Sequence, residues 1–103
     1  MRLGLQHTYS ALPSRFYARV APTPVKDPRL VVFNSRLAEA LDLDPTAIER
    51  EGATWFSGNQ TPEDADPIAL AYAGHQFGNF VPQLGDGRAI LLGERVGRDG
   101  VRR

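Results

Sequence analysis

The sequence predicts an α+β chain, and three observations support that prediction. Three short segments carry helix start signals, a glycine-rich segment near the C-terminus alternates apolar runs with turn residues, and the N-terminal part is rich in proline. Prolines at 13, 22, 24 and 28 favour extended backbone, so we predict an extended, irregular arm over residues 1–29. Short helices are predicted over residues 30–74, and a glycine-rich hairpin with the start of a further strand over residues 75–103.

Composition excludes several classes of function. The chain has 103 residues, 42% of them hydrophobic and 23% charged, which is typical of one small globular unit. Twelve basic residues balance twelve acidic ones, so bulk electrostatic binding to nucleic acid or to a membrane surface is not expected. The absence of cysteine excludes disulfides, thiolate catalysis and cysteine–zinc sites.

Local signals place the predicted helices. The apolar run Leu30–Phe33 is either a strand or a buried extended entry. Asn34 or Ser35 can then cap a first helix over about residues 36–43. Asp44 followed by proline predicts the start of a second helix, which we expect to stop at Gly52.

Three further signals follow the second helix. The segment Trp55–Asn59 predicts a turn whose two aromatic side chains anchor it to the core. The segment Thr61–Asp64 has the spacing of a capping box. A third helix is expected from Pro67 to about Gly74.

The glycine-rich segment is the main candidate site. The runs Phe80–Leu84 and Ala89–Leu92 read as two strands joined by Gly85, Asp86 and Gly87. Backbone N–H groups in such a turn can hold an anion, and the planar fork of donors on Arg88 suits phosphate. These residues predict a phosphate-binding hairpin, although many hairpins use Asp-Gly for turn geometry alone. Asp99-Gly100 predicts a second hairpin, with a type I′ turn, that leads into a third strand at Val101–Arg103.

Other polar residues allow both functional and structural interpretations. His75 could carry a proton near a ligand, but we favour a structural histidine that bonds a carbonyl; His7 has no predicted partner. The acidic residues Glu63, Asp64 and Asp66 could bind magnesium, yet helix capping and a solvated loop explain them better. The basic residues near the C-terminus are expected to decorate strand edges; they are Arg95, Arg98, Arg102 and Arg103.

One long segment of the sequence resembles the signature of a known family. AYAGHQFGNFVPQLGDGRAILLGE is similar to the signature of the selenoprotein O family, called SelO or, in bacteria, YdiU. Shorter upstream segments fit the same family: Leu12–Tyr17, Pro22–Val25 and Phe56–Asn59. The resemblance runs from about Leu12 to the last residue. It implies the N-terminal part of a protein-kinase-like, or pseudokinase, fold that binds ATP in an inverted orientation.

The resemblance also implies a chemistry. Family members transfer AMP from ATP to Ser, Thr or Tyr hydroxyls of proteins, with Mg²⁺ or Mn²⁺ as the metal, and the nucleotide-binding role carries over to Gly85, Gly87 and Arg88. The implied partners are ATP and protein substrates, with no nucleic acid and no membrane, in the bacterial cytoplasm. The family's nucleotide lysine, phosphate arginines, catalytic aspartate and metal ligands are expected beyond Arg103. The chain is therefore predicted to be an N-terminal piece that is inactive and poorly stable alone.

Two alternatives remain open. The first is kinase-type phosphoryl transfer, although the third glycine of a kinase loop is absent at the expected spacing. The second is a non-catalytic nucleotide-binding or protein-interaction module. No residue of the chain is nominated as a catalytic base or a metal ligand.

Overall fold

The structure is a computed structural model, and it describes residues 2–84 and 89–103. It confirms an α+β architecture with two small antiparallel sheets. The helices are α1 (Ser35–Ala40) and α2 (Pro45–Phe56), preceded by two short 3-10 helices at Tyr9–Ala11 and Ser14–Phe16. The strands are β1 (Tyr17–Arg19), β2 (Ile68–Leu70), β3 (Tyr72–Gln76), β4 (Asn79–Leu84) and β5 (Ile90–Leu91).

Helix α1 begins where the sequence predicts and ends earlier. The Asn34 side chain accepts a hydrogen bond from the Leu37 N–H at 3.0 Å, which is the predicted cap. The helix ends at Ala40 because Asp42 adopts a φ of 57°, in the left-handed region. The Leu43 N–H then donates back to the Ala38 carbonyl at 2.9 Å, which closes a Schellman-type end.

Helix α2 also begins as predicted but does not stop at Gly52. The Asp44 side chain accepts from the Thr46 N–H at 3.0 Å, and Pro45 occupies the first turn. Gly52 lies inside the helix and is buried; a Cβ there would lie 3.3 Å from side-chain atoms of both Ile48 and Phe56. The helix runs on to Phe56, and the glycine that follows its end is Gly58, with a φ of 84°.

The core forms between the N-terminus and α2. Leu3, Ile48 and Trp55 are buried together, and the partly buried Leu5, Phe33 and Leu43 pack against them. The expected anchor Trp55 is 3% exposed, whereas Phe56 is 55% exposed. The apolar run Leu30–Phe33 forms no strand, and only Phe33 packs against this core.

The predicted irregular arm is wrong in part, because it contributes to a sheet. Strand β1 pairs antiparallel with β2, with Ala18 opposite Ala69. Gln6 pairs with Glu94 through hydrogen bonds of 2.7 and 2.8 Å between their backbones. The arm therefore lies against the C-terminal part of the chain.

The predicted third helix is wrong, because its residues form β2 and most of β3. Ile68 and Ala69 are 2% and 1% exposed, and β2 is the central strand between β1 and β5. Burial on both faces gives a central strand a continuous apolar run, which sequence periodicity does not separate from a buried helix.

The strand pairing predicted across residues 85–88 is also wrong. Strand β4 pairs with β3, and β5 pairs with β2 in the other sheet. The β3–β4 turn instead lies at Phe77 and Gly78, whose φ angles of 52° and 79° fit a type I′ turn.

The predicted C-terminal hairpin is confirmed, although its turn type is not. Val96 pairs with Arg102, and Arg95 and Arg103 exchange backbone hydrogen bonds of 2.7 and 2.9 Å. The Gly100 N–H donates to the Gly97 carbonyl at 3.0 Å, and Gly100 has a φ of 75°. Because the two residues between them do not have positive φ, the turn is not type I′.

Candidate functional site

The predicted phosphate-binding residues Gly85, Gly87 and Arg88 lie outside the described residues, so this site stays a prediction. Their described neighbours are Leu84, the last residue of β4, and Ala89, which precedes β5. These two strands belong to different sheets. The candidate residues therefore stand, in sequence, between the two sheets of the fold.

An open depression lies beside the end of β4. It has a volume of about 540 Å³, and β1 and β2 contribute to its lining. Its lining residues are Ser14, Arg15, Tyr17, Ala18, Ala69, Ala71, Gln83 and Leu84. Gln83 and Leu84 immediately precede Gly85, so two residues that line the depression adjoin the predicted phosphate-binding segment in the sequence.

Arg15 supplies a positive charge at this depression. Its guanidinium carbon lies 5.3 Å from the centre of the Phe16 ring. Within residues 2–84 and 89–103, no carboxylate forms an ion pair with Arg15. An exposed guanidinium of this kind can accept a phosphate or another anion.

The structure shows at His7 the bond to a carbonyl that the sequence predicts for His75. His75 is exposed on β3 opposite Phe80, and the described part of the chain offers its ring no hydrogen bond. His7 has the structural contact instead, with its Nε2 2.7 Å from the Asp64 carbonyl oxygen. The bond to a carbonyl that was expected of His75 is therefore wrong for His75 and describes His7.

The acidic residues are used in structural contacts, as favoured, but not as helix caps. No helix begins at Thr61, so the predicted capping box is wrong. The Asp64 carboxylate accepts from the Leu3 and Leu5 N–H groups at 3.0 and 2.9 Å. Asp66 pairs with Arg19, and Glu63 lies 3.6 Å from Arg2. Among the described residues, no group of three or more His, Asp or Glu side chains could hold a metal ion.

Asp64 and three other carboxyls carry lowered pKa values. Burial raises the pKa of Asp64, but backbone N–H donors, foremost those of Leu5 and Leu3, together lower it by more, so its net shift is downward. The Arg19 side chain lowers the pKa of Asp66, and the Thr8 side chain lowers that of Glu94. Arg103 and the Val101 N–H lower the pKa of Asp99 to about 2.

We expect the chain to lose stability in acid, below about pH 4. The pKa of Asp64 is lower in the folded state than its ordinary 3.8, so the folded state binds fewer protons. The stabilisation is therefore complete above that ordinary value and is lost as the pH falls through the lower, folded value. Unfolding by urea at pH 7, 4 and 2.5 measures this loss, and Asp64→Asn should weaken the pH dependence. Glu49→Gln, at an exposed position on α2, is the control; an equal effect of both variants would contradict the assignment to Asp64.

The four arginines near the C-terminus do more than decorate strand edges. Arg95 donates to three backbone carbonyls, those of Leu3, Leu41 and Asp42. The other three bond single side chains: Arg98 bonds Asp42, Arg102 bonds Gln6, and Arg103 bonds Asp99. The edge interpretation is thus wrong for Arg95, whose side chain is only 20% exposed.

Comparison with known proteins identifies the family. A family model described as protein adenylyltransferase SelO matches residues 1–102. The chain belongs to the SelO family. A curated relative from Bradyrhizobium diazoefficiens, named protein nucleotidyltransferase YdiU, is 66% identical over 99 residues, which is 95% of this chain and 20% of that relative.

Further relatives with the same name agree. The protein of Rhodopseudomonas palustris strain TIE-1 is 67% identical over 98 residues, and that of Rhizobium meliloti is 62% identical over 97 residues. In each case 94% of this chain matches 20% of the relative. The chain thus spans about a fifth of the length of these bacterial relatives. None of the described helices is long and apolar enough to cross a membrane.

Proposed function

We propose that the chain is the N-terminal, nucleotide-binding part of a nucleotidyltransferase. More specifically, the whole protein transfers AMP from ATP to Ser, Thr or Tyr hydroxyls of proteins in the bacterial cytoplasm and releases pyrophosphate. The observation that carries this proposal is the SelO match over residues 1–102, together with 66% identity to a relative named as a nucleotidyltransferase.

In this proposal the chain forms the front of a kinase-like N-lobe. Backbone N–H groups at Gly85 and Gly87 approach the phosphates, and the Arg88 guanidinium bonds them as a fixed cation. The depression beside Leu84 supports this placement, because Leu84 immediately precedes Gly85 in the sequence and Arg15 brings a positive charge to the depression.

In this proposal, the metal ligands and the catalytic base lie in the rest of the polypeptide. Mg²⁺ or Mn²⁺, when bound, offsets phosphate charge during transfer. The described residues of this chain do not fit such an ion, because they contain no suitable cluster of carboxylates and histidines. The contribution of this chain is to hold and orient part of the nucleotide.

A chimeric protein tests the function. Residues 1–103 replace the matching fifth of the Bradyrhizobium diazoefficiens relative, and the product is incubated with ATP labelled at the α- or the γ-phosphate. We expect the α-label on protein, in a metal-dependent reaction. Transfer of the γ-label would instead establish phosphoryl transfer, and nucleotide binding without transfer of either label would establish a binding module.

In the same chimera, Arg88→Ala is expected to weaken ATP binding by about 1–3 kcal/mol, the scale of a charge-assisted hydrogen bond. Gly87→Val should also weaken binding, because its side chain would occupy the space in which a phosphate approaches the backbone. Calorimetry with ATP measures both effects. The control is Arg50→Ala, which removes only an exposed pair with Glu51. Unchanged affinity of a folded Arg88→Ala variant would remove Arg88 from the site.

A further inference from the structure

Five large apolar side chains line one open groove beside helix α2. Val31 and Val32 are 95% and 83% exposed, the highest values in this group. The groove has a volume of about 600 Å³, and Gly52 and Ala53 of α2 also line it. We call this surface the apolar patch; its members are Val25, Leu30, Val31, Val32 and Phe56.

The segment that carries the apolar patch is held at both ends. At one end, the Asn59 side chain accepts from the Val25 N–H and donates to the Val25 carbonyl, both at 2.7 Å. At the other end, Phe33 packs against the core and Asn34 caps α1. These contacts fix the segment, so the exposure of the two valines belongs to the folded arrangement.

Exposure on this scale is unfavourable for a surface that stays in water. Burial of a valine side chain is favourable, and folded monomers rarely leave neighbouring apolar side chains fully exposed. Residues 30–33 form no strand, so pairing in a sheet does not cover these side chains either. The patch therefore has the properties of a contact surface.

We infer that the apolar patch docks against the portion of the polypeptide that the long relatives carry and that this chain does not match. That portion is about four fifths of each relative, because the matched segment covers 20% of it. The inferred occupant is an apolar ridge, such as one face of a helix, that fills the groove. This inference rests on family membership and does not depend on which group is transferred.

The shape of the patch argues against a second copy as the occupant. In a symmetric dimer, the same surface faces itself across the two-fold axis. A groove that faces an identical groove leaves its concavity unfilled, and unfilled volume loses packing energy. A ridge from a different part of the protein fills the same space.

Thiol labelling locates the contact. The chain has no cysteine, so Val31→Cys and, as the control, Ala11→Cys each introduce a defined thiol. Both side chains are exposed here. In the chimera with the Bradyrhizobium relative, a maleimide is followed at these positions by peptide mass spectrometry. Each rate is divided by the rate for the same variant unfolded in urea. We expect Val31→Cys to be protected at least about tenfold more than Ala11→Cys, because access controls thiol reactivity.

A charge substitution tests the same contact energetically. In the chimera, Val31→Asp should lower the melting temperature, because a carboxylate would be buried against apolar groups. Ala11→Asp, at an exposed position, is the control and should leave the melting temperature of the chimera unchanged. Equal labelling of both thiols in the chimera would overturn the inference. So would a dimer of the 103-residue chain, seen by sedimentation, that Val31→Asp abolishes, since the occupant would then be a second copy.

Discussion

Replacing Arg95 by methionine is expected to lower the free energy of unfolding by about 3 kcal/mol, since hydrogen bonds from a charged donor contribute about 1.5–3 kcal/mol each and are not additive. The Arg95 Nε donates to the Leu41 carbonyl at 2.5 Å, and one Nη donates to the Asp42 carbonyl at 2.7 Å. The other Nη donates to the Leu3 carbonyl. One guanidinium thus joins the N-terminus, the end of α1 and the C-terminal hairpin.

Methionine is the informative replacement at this position. It keeps an aliphatic stem of similar length, so the loss reports the hydrogen bonds more than the packing. Urea unfolding followed by the fluorescence of Trp55 measures the change, because Trp55 is the single tryptophan and is 3% exposed.

Arg98→Met is the matched control for Arg95→Met. Arg98 also bonds Asp42, but its side chain is 66% exposed and contacts the carboxylate alone. Exposed ion pairs contribute about 0.2–1 kcal/mol, so this variant should be much less affected. Equal losses in the two variants would contradict the linking role of Arg95.

The starts of α1 and α2 could be predicted from the sequence, whereas the hydrogen bonds of Arg95 could not. The helix starts depend on Asn34 and Asp44, each of which bonds a backbone N–H two or three residues away. Such signals are local and can be read from the sequence. The acceptors of Arg95 are 53, 54 and 92 residues away, and they are carbonyls that every residue type carries. No pattern of residue types identifies them.

The pairing of the strands could not be predicted from the sequence for a related reason. Strand spans close to β4 and β5 were predicted, because alternation and turn residues are local signals. Their predicted partners were wrong, because turn residues suggest pairing between neighbours in sequence, whereas β5 pairs with β2, about 20 residues earlier. The stop of the second helix was predicted at Gly52, and only packing against Ile48 and Phe56 shows that this glycine lies inside α2.

The candidate site shows a different limit. Gly85, Gly87 and Arg88 were predicted from a glycine-rich turn within a segment that resembles a family signature, and the chain belongs to that family. Their contacts lie outside the described residues. The structure adds a depression at the end of β4, lined by Leu84 and by the positively charged Arg15. The position of Arg15 could not be predicted, because a lone arginine in a proline-rich arm does not indicate which strand it will lie beside.

Replacing Gly97 by alanine is expected to destabilise the chain by about 2–3 kcal/mol, in the range of overpacking in a tightly packed site. Gly97 is buried, and a Cβ built on it would lie 2.5 Å from the Ala40 carbonyl oxygen. That atom belongs to the backbone at the end of α1, so a side-chain rotation cannot relieve the contact. The neighbouring Arg98 N–H donates to the same oxygen at 3.0 Å, so separating the two segments would also lengthen this hydrogen bond.

Gly100→Ala separates this steric effect from backbone strain. Gly100 lies in the same hairpin with a φ of 75°, and a Cβ there meets nothing within 4 Å. Its substitution should cost about 1–2 kcal/mol, the strain of a left-handed residue that is not glycine. Urea unfolding gives both losses, and hydrogen exchange of the Arg98 amide reports whether its bond to Ala40 weakens. In Gly97→Ala this amide should exchange faster, whereas in Gly100→Ala it should stay protected until the chain unfolds. A larger loss in Gly100→Ala, with the Arg98 amide unchanged in Gly97→Ala, would mean that the C-terminal hairpin does not pack against the end of α1.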